Sequence, residues 1–491
     1  MQYEAVIGLE VHTEMLTESK MFCACPVLDY TQAVPNIAVC PVCAGMPGVL
    51  PVINQKAVEY AVRVGLALEC KIAPVSIFAR KNYFYPDLPK GYQISQFEEP
   101  LARNGRLKIQ TSQGEKTIRI LRAHLEEDAG KLTHMERDGE TYSLVDLNRA
   151  GVALLEIVTE PDMRSVEEVL AYGQALRDII RYVGVNSGDM SKGVMRFEAN
   201  VSVRPLGSDV LNPRAEIKNL NSFRAMERAV AYQIEQQIAK MERGEQVEQE
   251  TLGWDETRQE TYSQRSKEDA HDYRYFPEPD LPPLVLEQAW IDEIAASLPE
   301  LPQAKAARFQ SQYDLTEVDA NVLVGEQDIA NFFEAVLAAG PALPPRLAAN
   351  WMTGELFGWM NTCGETIDCL QVTPQGLAAL LTLLEKGEIN ATTAKAVLNE
   401  MLESGQPAEE IIAAKGLSQI SDTDAIAGLV RDVLAQHPQE LASYLAGKES
   451  LSNWFFGQVM RAARGQANPQ VLKDELHRQL AAVSGLSDKV V

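Results

Sequence analysis

What this chain lacks narrows its identity before anything it contains. No apolar run approaches the ~18 residues that span a bilayer, and the opening Met1-Gln2-Tyr3-Glu4 shows neither the basic nor the apolar stretch of a secretory signal. The cytoplasm is therefore the expected compartment, and no membrane is expected as a partner. Positive charge is scarce: 45 Lys and Arg stand against 69 Asp and Glu, a formal net charge of −24. That balance argues against a broad phosphate-binding surface of the kind that drives nonspecific affinity for DNA. Cysteines number seven in 491 residues, too few for a secreted disulfide framework. Three motifs are missing as well: the Gly-x-x-x-x-Gly-Lys-Ser/Thr phosphate loop, a Gly-x-Gly-x-x-Gly opening a helix after a strand, and the Gly-x-Ser-x-Gly nucleophile elbow. P-loop, dinucleotide-binding and serine-hydrolase folds lose most of their support.

What is present reads as α+β followed by α. Up to about residue 220 strand patterns dominate, as in Ala5 to His12, Ser143 to Arg149, Ala153 to Thr159, Met195 to Arg204 and Ala215 to Asn221, with helical stretches at Gln55 to Leu68 and Ser165 to Tyr182. Near Phe276 the chain becomes Phe-Pro-Glu-Pro-Asp-Leu-Pro-Pro, and strand patterns almost vanish beyond it. Apolar residues then recur at helical spacing, as in Leu377, Leu380, Leu381 and Leu384 after Thr373-Pro374, and a last helix starts at Asn468-Pro469. The expected domains are 1–290, a sheet-based domain, then 291–409 and 410–491, both helical, with a soft border near Gly405 to Gly416.

Two constellations carry chemistry. Cys23-x-Cys25, fourteen intervening residues, and Cys40-Pro-x-Cys43 can close a tetrahedral thiolate shell with no open position, so structural Zn²⁺ is expected over four unrelated cysteines. The second is a set of carboxylates in otherwise apolar strands. The strand period of two puts Glu10 and His12 on one face, Arg196, Glu198, Asn200 and Ser202 on another, and Glu216 with Lys218 on a third. If the hairpin between the last two strands has an even register, their polar sets point the same way. Added to these are the acidic knot His124-Leu125-Glu126-Glu127-Asp128, read as a short turn, and Glu156, a lone acid in Ala153-Leu154-Leu155-Glu156-Ile157-Val158 that is costly to bury unpaired. Gathered on one concave face, such carboxylates call for a cation, with Mg²⁺ and a nucleotide polyphosphate as the natural occupant. A solvated acidic face would alternate in the same way, and the pattern alone leaves both open. Two loops, Phe78 to Gln96 and Asp272 to Asp280, interleave aromatics with cations such as Lys81, which suits a nucleobase, unpaired tRNA bases and phosphates. For any single ring, packing is the simpler account.

These residues together resemble the B subunit family of the tRNA-dependent amidotransferases. The likeness rests on Glu10-Val-His12, the four cysteines, Arg80 to Gln96, His124 to Gly130, Asp146-Leu-Asn-Arg149, Glu216-Ile-Lys-Asn-Leu-Asn-Ser222, Asp272 to Pro283, and the tail from Gly457 to Pro469. It spans essentially the whole chain. The resemblance implies an antiparallel-sheet catalytic domain related in fold to glutamine synthetase, a middle helical domain, and a YqeY-like tail that engages tRNA. It implies a reaction in which ATP phosphorylates the side-chain carboxylate of Glu on tRNA(Gln), or of Asp on tRNA(Asn), and ammonia displaces the phosphate. An amidase subunit that supplies the ammonia and a small third subunit are the implied partners. It further implies a Mg²⁺-nucleotide site at Glu10 and His12 with Glu126, Glu127, Glu198 and Glu216, with Glu156 beside them and Lys81 and Lys218 toward the nucleotide. Many members read Cys-Asp where this chain has Phe197-Glu198, so that acid is one methylene longer here. A noncatalytic, zinc-containing tRNA-binding scaffold is the alternative of a different class.

Overall fold

The computed structural model describes residues 2–265, 273–417, 422–463 and 466–487; Asp272 of the second aromatic loop and Arg464 of the tail lie outside them. The chain falls into two compact units, one running to Pro302 and the other starting at Gln303.

In chain order the first unit contains β1 (Tyr3–Glu14), β2 (Lys71–Ile72), β3 (Val75–Ser76), β4 (Ala79–Asn82), β5 (Tyr92–Ser95), β6 (Ala102–Thr111), β7 (Gly114–Glu127), β8 (Lys131–Arg137), β9 (Glu140–Asp146), β10 (Ala153–Thr159), β11 (Met195–Pro205), β12 (Ala215–Leu220), β13 (Glu250–Asp255), β14 (Glu260–Arg265), β15 (Phe276–Pro277) and β16 (Leu284–Val285). Nine of them form one sheet in the order β14-β13-β12-β11-β1-β10-β7-β6-β2. Its pairs are antiparallel except β12 with β13, which run parallel. A second, three-stranded sheet, β15-β4-β5, carries the aromatic loops.

Helices α1 (Gln55–Ala67), α2 (Val166–Tyr182) and α3 (Phe223–Glu242) contribute buried residues to the same core as the main sheet. The pleat explains how β1 serves two environments. Ile7, Leu9 and Val11 are wholly buried in the core, while Glu10 and His12 on the alternate positions are not. The helix starts are set by side chains that satisfy otherwise orphaned backbone donors: Asn54 accepts from the N–H groups of Lys56 and Ala57, Ser165 from Glu168, and Ser222 from Ala225. Helix α4 (Gln288–Ala296) straddles the sequence-expected border at residue 290, yet its Ile291 and Ile294 belong to the sheet unit's core. That packing is why the unit extends to Pro302.

The β11–β12 hairpin has an even register at its cavity end, with Asn200 opposite Glu216 and Ala199 opposite Ile217. Further along, a bulge intervenes and Phe197 pairs with Leu220. Strand β12 uses one residue more than β11 there, and Asn219, exposed and at φ 58°, takes up the extra length.

The second unit is helical among its described residues. One apolar core runs from Ala306 to Ile412 and a separate one from Ile426 to Leu480. The helix Ala408–Lys415 lies within the expected border region and packs on the former. Thr373 and Asn468 cap the helices that follow them.

Candidate active site and sulfur cluster

The registers of the central strands convert the alternating carboxylates into a two-dimensional array. Reading across β11, β1, β10 and β7, one row is Glu198, Glu10, Val158 and Arg122; the next is Arg196, His12, Glu156 and His124; in the third, Glu14 of β1 lies opposite Leu154, which lies opposite Glu126. All of these are on the face away from the helices. A cavity of about 870 Å³ opens over them, and the residues Glu10, His12, Lys81, Glu126, Glu156, Glu198, Glu216 and Lys218 expected from the sequence all line it.

Two subsets come within 4.8 Å ligand atom to ligand atom: His12 with Glu126 and Glu156, and Glu10 with Glu198 and Glu216. His12 Nε2 lies 3.5 Å from Glu156 and 3.6 Å from Glu126, and His124 Nε2 lies 3.4 Å from Glu156. Burial opposes charging of His12, but the bond to Glu156 and the fields of Glu156, Glu198 and Glu126 prevail and push the imidazole up to about 9. Glu10 goes the other way. Burial and the neighbouring charges of Glu156 and Glu198 raise its carboxyl, against an Asn200 amide that donates to it at 2.9 Å. Lys218 Nζ bridges Glu198 at 2.7 Å and Glu216 at 3.2 Å. Despite burial, Lys218 and the His12 imidazolium hold Glu198 below the usual range.

The aromatic loops close the cavity's side. Lys81 sits 5.1 Å from the Tyr273 ring centre and 5.9 Å from that of Tyr83, and Phe97 stacks on Tyr275 at 4.1 Å. Glu126 and Glu156 raise the Lys81 ammonium in spite of its burial, so it is charged. Two further cations line the cavity and escape the sequence reading, Arg122 and Arg214. Arg122 has a signal, since it stands in period with His124 and Glu126 along β7. Its buried Nε has no acceptor among the described residues.

The sequence expectation fails for Glu127. It neither lines the cavity nor joins a carboxylate cluster. Residues 124–127 end the long strand β7 and do not form a turn, so the pleat that sends Glu126 inward sends Glu127 to the opposite face. There it pairs with Lys90 and accepts the Ile94 N–H at 2.9 Å. At the rim, Arg196 donates to Asp128 at 2.9 Å and to Glu14 at 3.3 Å. Burial and then the Asp128 charge push Glu14 up to about 8.

The four cysteines meet as expected, with one sulfur from each within 4.8 Å of the others. Cys43 Sγ is 3.8 Å from Cys40 Sγ and 3.9 Å from Cys25 Sγ. Tetrahedral thiolates around one ion fit these separations, so the chain has a candidate four-cysteine metal site. Cys43 ionises most readily, lowered to about 4 chiefly by a bond from Cys23, and further by the Cys40 N–H and the charge of Lys20.

The chain is similar to known proteins along nearly its whole length. Residues 5–292 match the model of the GatB/GatE catalytic domain and residues 331–480 that of the GatB domain. The B subunit of the aspartyl/glutamyl-tRNA(Asn/Gln) amidotransferase of Myxococcus xanthus is 51% identical, covering 97% of this chain and 98% of the relative. Those of Thermodesulfovibrio yellowstonii and Moorella thermoacetica are 50% and 48% identical, each covering 98% of this chain and 100% of the relative. With about half its residues shared along nearly the full length of such proteins, the chain belongs to the family of B subunits of the tRNA-dependent aspartyl/glutamyl amidotransferases.

Proposed function

We propose that the chain carries the kinase and transamidase steps of the amidotransferase, using ATP and Mg²⁺, with Glu on tRNA(Gln) or Asp on tRNA(Asn) as acceptor. The observation that carries this reading is the juxtaposition of two oxygen-rich clusters with Lys81, Arg122 and Arg214 around one cavity. The donors fit a hard divalent ion: they are carboxylates with one imidazole, and the carboxyl of Glu10 is raised by burial and then by the charges of Glu156 and Glu198. Glu10, Glu198 and Glu216, with His12, Glu126 and Glu156 beside them, would hold Mg²⁺; Glu127 leaves that set. Mg²⁺ held there would offset the charge of a nucleotide's phosphates.

The remaining work falls to the protein. In the first step a side-chain carboxylate oxygen of the aminoacyl group attacks the γ-phosphorus, and ADP leaves with the bridging oxygen's electron pair. Lys81 and Arg122 are placed to neutralise charge on the transferred phosphoryl group, the main demand of such a transition state. In the second step ammonia attacks the acyl carbon and inorganic phosphate leaves. The proton shed by nitrogen leaves on the departing phosphate, while Glu156, held ionised by His124 and His12 against the cost of burial, keeps its negative charge in the cavity. Ammonia would come from the partner amidase, with the small third subunit completing the complex. The four cysteines would hold a structural Zn²⁺. We assign the sheet unit, through Pro302, to catalysis, residues 303–409 to a linker and 410–491 to tRNA binding. In the tail Phe455 and Val459 are buried while Arg461 is exposed, as a helix with a wet basic edge requires. Among the described residues no helix is long and apolar enough to cross a membrane, in keeping with work in the cytoplasm. Phosphate release from ATP that depends on misacylated tRNA tests the reading. A complex that amidates without consuming ATP overturns it, and a chain with no such release is a tRNA-binding scaffold.

A further inference from the structure

Lys20 is wholly buried, an unusual position for an ammonium group. Among the described residues Nζ has three hydrogen-bond partners and none is a carboxylate: the carbonyl of Ala38 at 2.8 Å, the carbonyl of Leu147 at 3.2 Å, and Cys43 Sγ at 3.7 Å. A buried cation without an anion is costly, because carbonyl dipoles replace only part of its hydration. The nearest candidate for the missing charge is the sulfur cluster. Four thiolates around one Zn²⁺ leave two net negative charges, which in a partly buried centre call for a positive neighbour.

The same contacts tie the cluster to the loop between β9 and β10. Met21 N–H donates to the Gly151 carbonyl at 2.7 Å, next to the Lys20 bond to Leu147. Gly151 has φ +85°, and a Cβ there would lie 3.6 Å from Cys43 Cβ and from Lys20 Cδ, so the loop touches the cluster directly. From this loop Arg149 reaches Asp128, which lines the cavity, at 3.6 Å.

We propose that Lys20 is the internal counter-ion of the zinc centre and the positioning residue that locks it to the Leu147–Gly151 loop at the edge of the catalytic cavity. This rests on the zinc reading of the four cysteines. Lys20 makes no contact with substrate; it acts by neutralising the Cys43 thiolate and holding the Ala38 and Leu147 carbonyls around it.

The test uses the full-length chain in its purified amidotransferase complex. Lys20→Met keeps most of the side chain's length and removes its charge. The variant should surrender Zn²⁺ to a competing chelator at a concentration roughly 10- to 100-fold lower than wild type does, the usual worth of a group that supports metal ligands. In the Co²⁺-substituted protein the sulfur-to-metal charge-transfer band should move to lower energy, since a thiolate without its cation gives up electrons more easily. A merely loosened fold does not produce that shift. A second arm needs no variant: Lys20 should resist an amine-modifying reagent while zinc is bound and become labelled once zinc is stripped. Wild-type competition and an unmoved band in Lys20→Met overturn the role of Lys20 while leaving the zinc reading intact. So does a Lys20 that is protected, or labelled, equally with and without metal. If Lys20→Met fails to fold, the labelling arm decides alone. Wild-type complex that carries no zinc removes the zinc reading and this proposal with it.

Discussion

The sheet unit holds two groups of side chains suited to a cation, and they are built in opposite ways. The sulfur group comes from residues 23 to 43, a single excursion between β1 and α1. The carboxylate group draws on Glu10, His12, Glu126, Glu156, Glu198 and Glu216, from five strands that only sheet registry brings together. One is soft, closed and local; the other is hard, open and dependent on the whole fold. Ligand type and sequence spread therefore both point to a metal group's task, since a closed local knot can only hold a shape whereas an open array can receive a substrate.

Loss of a central member of the open group should have the largest effect. Glu156→Ala takes away the acid that both His12 and His124 approach, and amidation of misacylated tRNA by the reconstituted complex should fall by roughly 10² or more. A wild-type initial rate would erase the contrast. Removing residues 418–491, which contain neither group, should raise the KM for tRNA about tenfold, roughly 1.4 kcal/mol of binding. The partner's hydrolysis of free glutamine should be unchanged; an unaltered KM would leave the tail without the assigned task.

The closed group should respond in stability and hardly in chemistry. Cys40→Ser should lower the melting temperature by several degrees, at about 2–4 °C for each kcal/mol in a large domain, while amidation at low temperature stays within a few-fold of wild type. An intact melting curve with abolished activity would reverse the roles of the two groups.

A pH series approaches the open group through stability. The folded His12 pKa, about 9, exceeds the value of 6.5 taken for the free side chain. Its contribution to stability is therefore fully present below about pH 6.5 and is lost as pH rises through 9. The melting temperature of the metal-free protein should decline across that window, and His12→Gln should flatten the decline; equal slopes would remove His12 as its source. The smallest effect is expected for Glu198→Asp, which keeps the carboxylate and shortens its stem by one methylene. Less than a tenfold change in rate fits a residue whose carboxylate is already engaged by Lys218, and a collapse of activity would mark Glu198 as an indispensable ligand.

The sulfur group is legible in the sequence because spacing alone determines it. Most of the carboxylate group is legible too, for a related reason: period-two alternation within one strand is a local property, and it puts Glu10 with His12 and Glu216 with Lys218 correctly. The failures arise where strand context matters. Reading 124–128 as a turn removes the alternation that separates Glu126 from Glu127, and with it the reason to notice Arg122 two residues earlier. Arg214 precedes β12 in a connecting segment, where no periodicity applies. The border at 290 misplaces α4 because its attachment to the sheet unit's core is a tertiary contact that a proline-rich run does not reveal.

The bulge between β11 and β12 has a consequence for how this family can vary in length. Ahead of it Lys218 faces the cavity, and behind it Leu220 is buried in the core opposite Phe197, with Asn219 as the supernumerary residue between them. Excising Asn219 would let Leu220 pair with Phe197 in unbroken alternation, and both faces would keep their chemistry. Excising Ile217 instead would turn Lys218 into the core opposite Ala199 and leave Asn219 in its place opposite Glu198. Length change in this hairpin is thus governed like a reading frame, with the slip absorbed inside the bulge and the phase broken by a cut ahead of it.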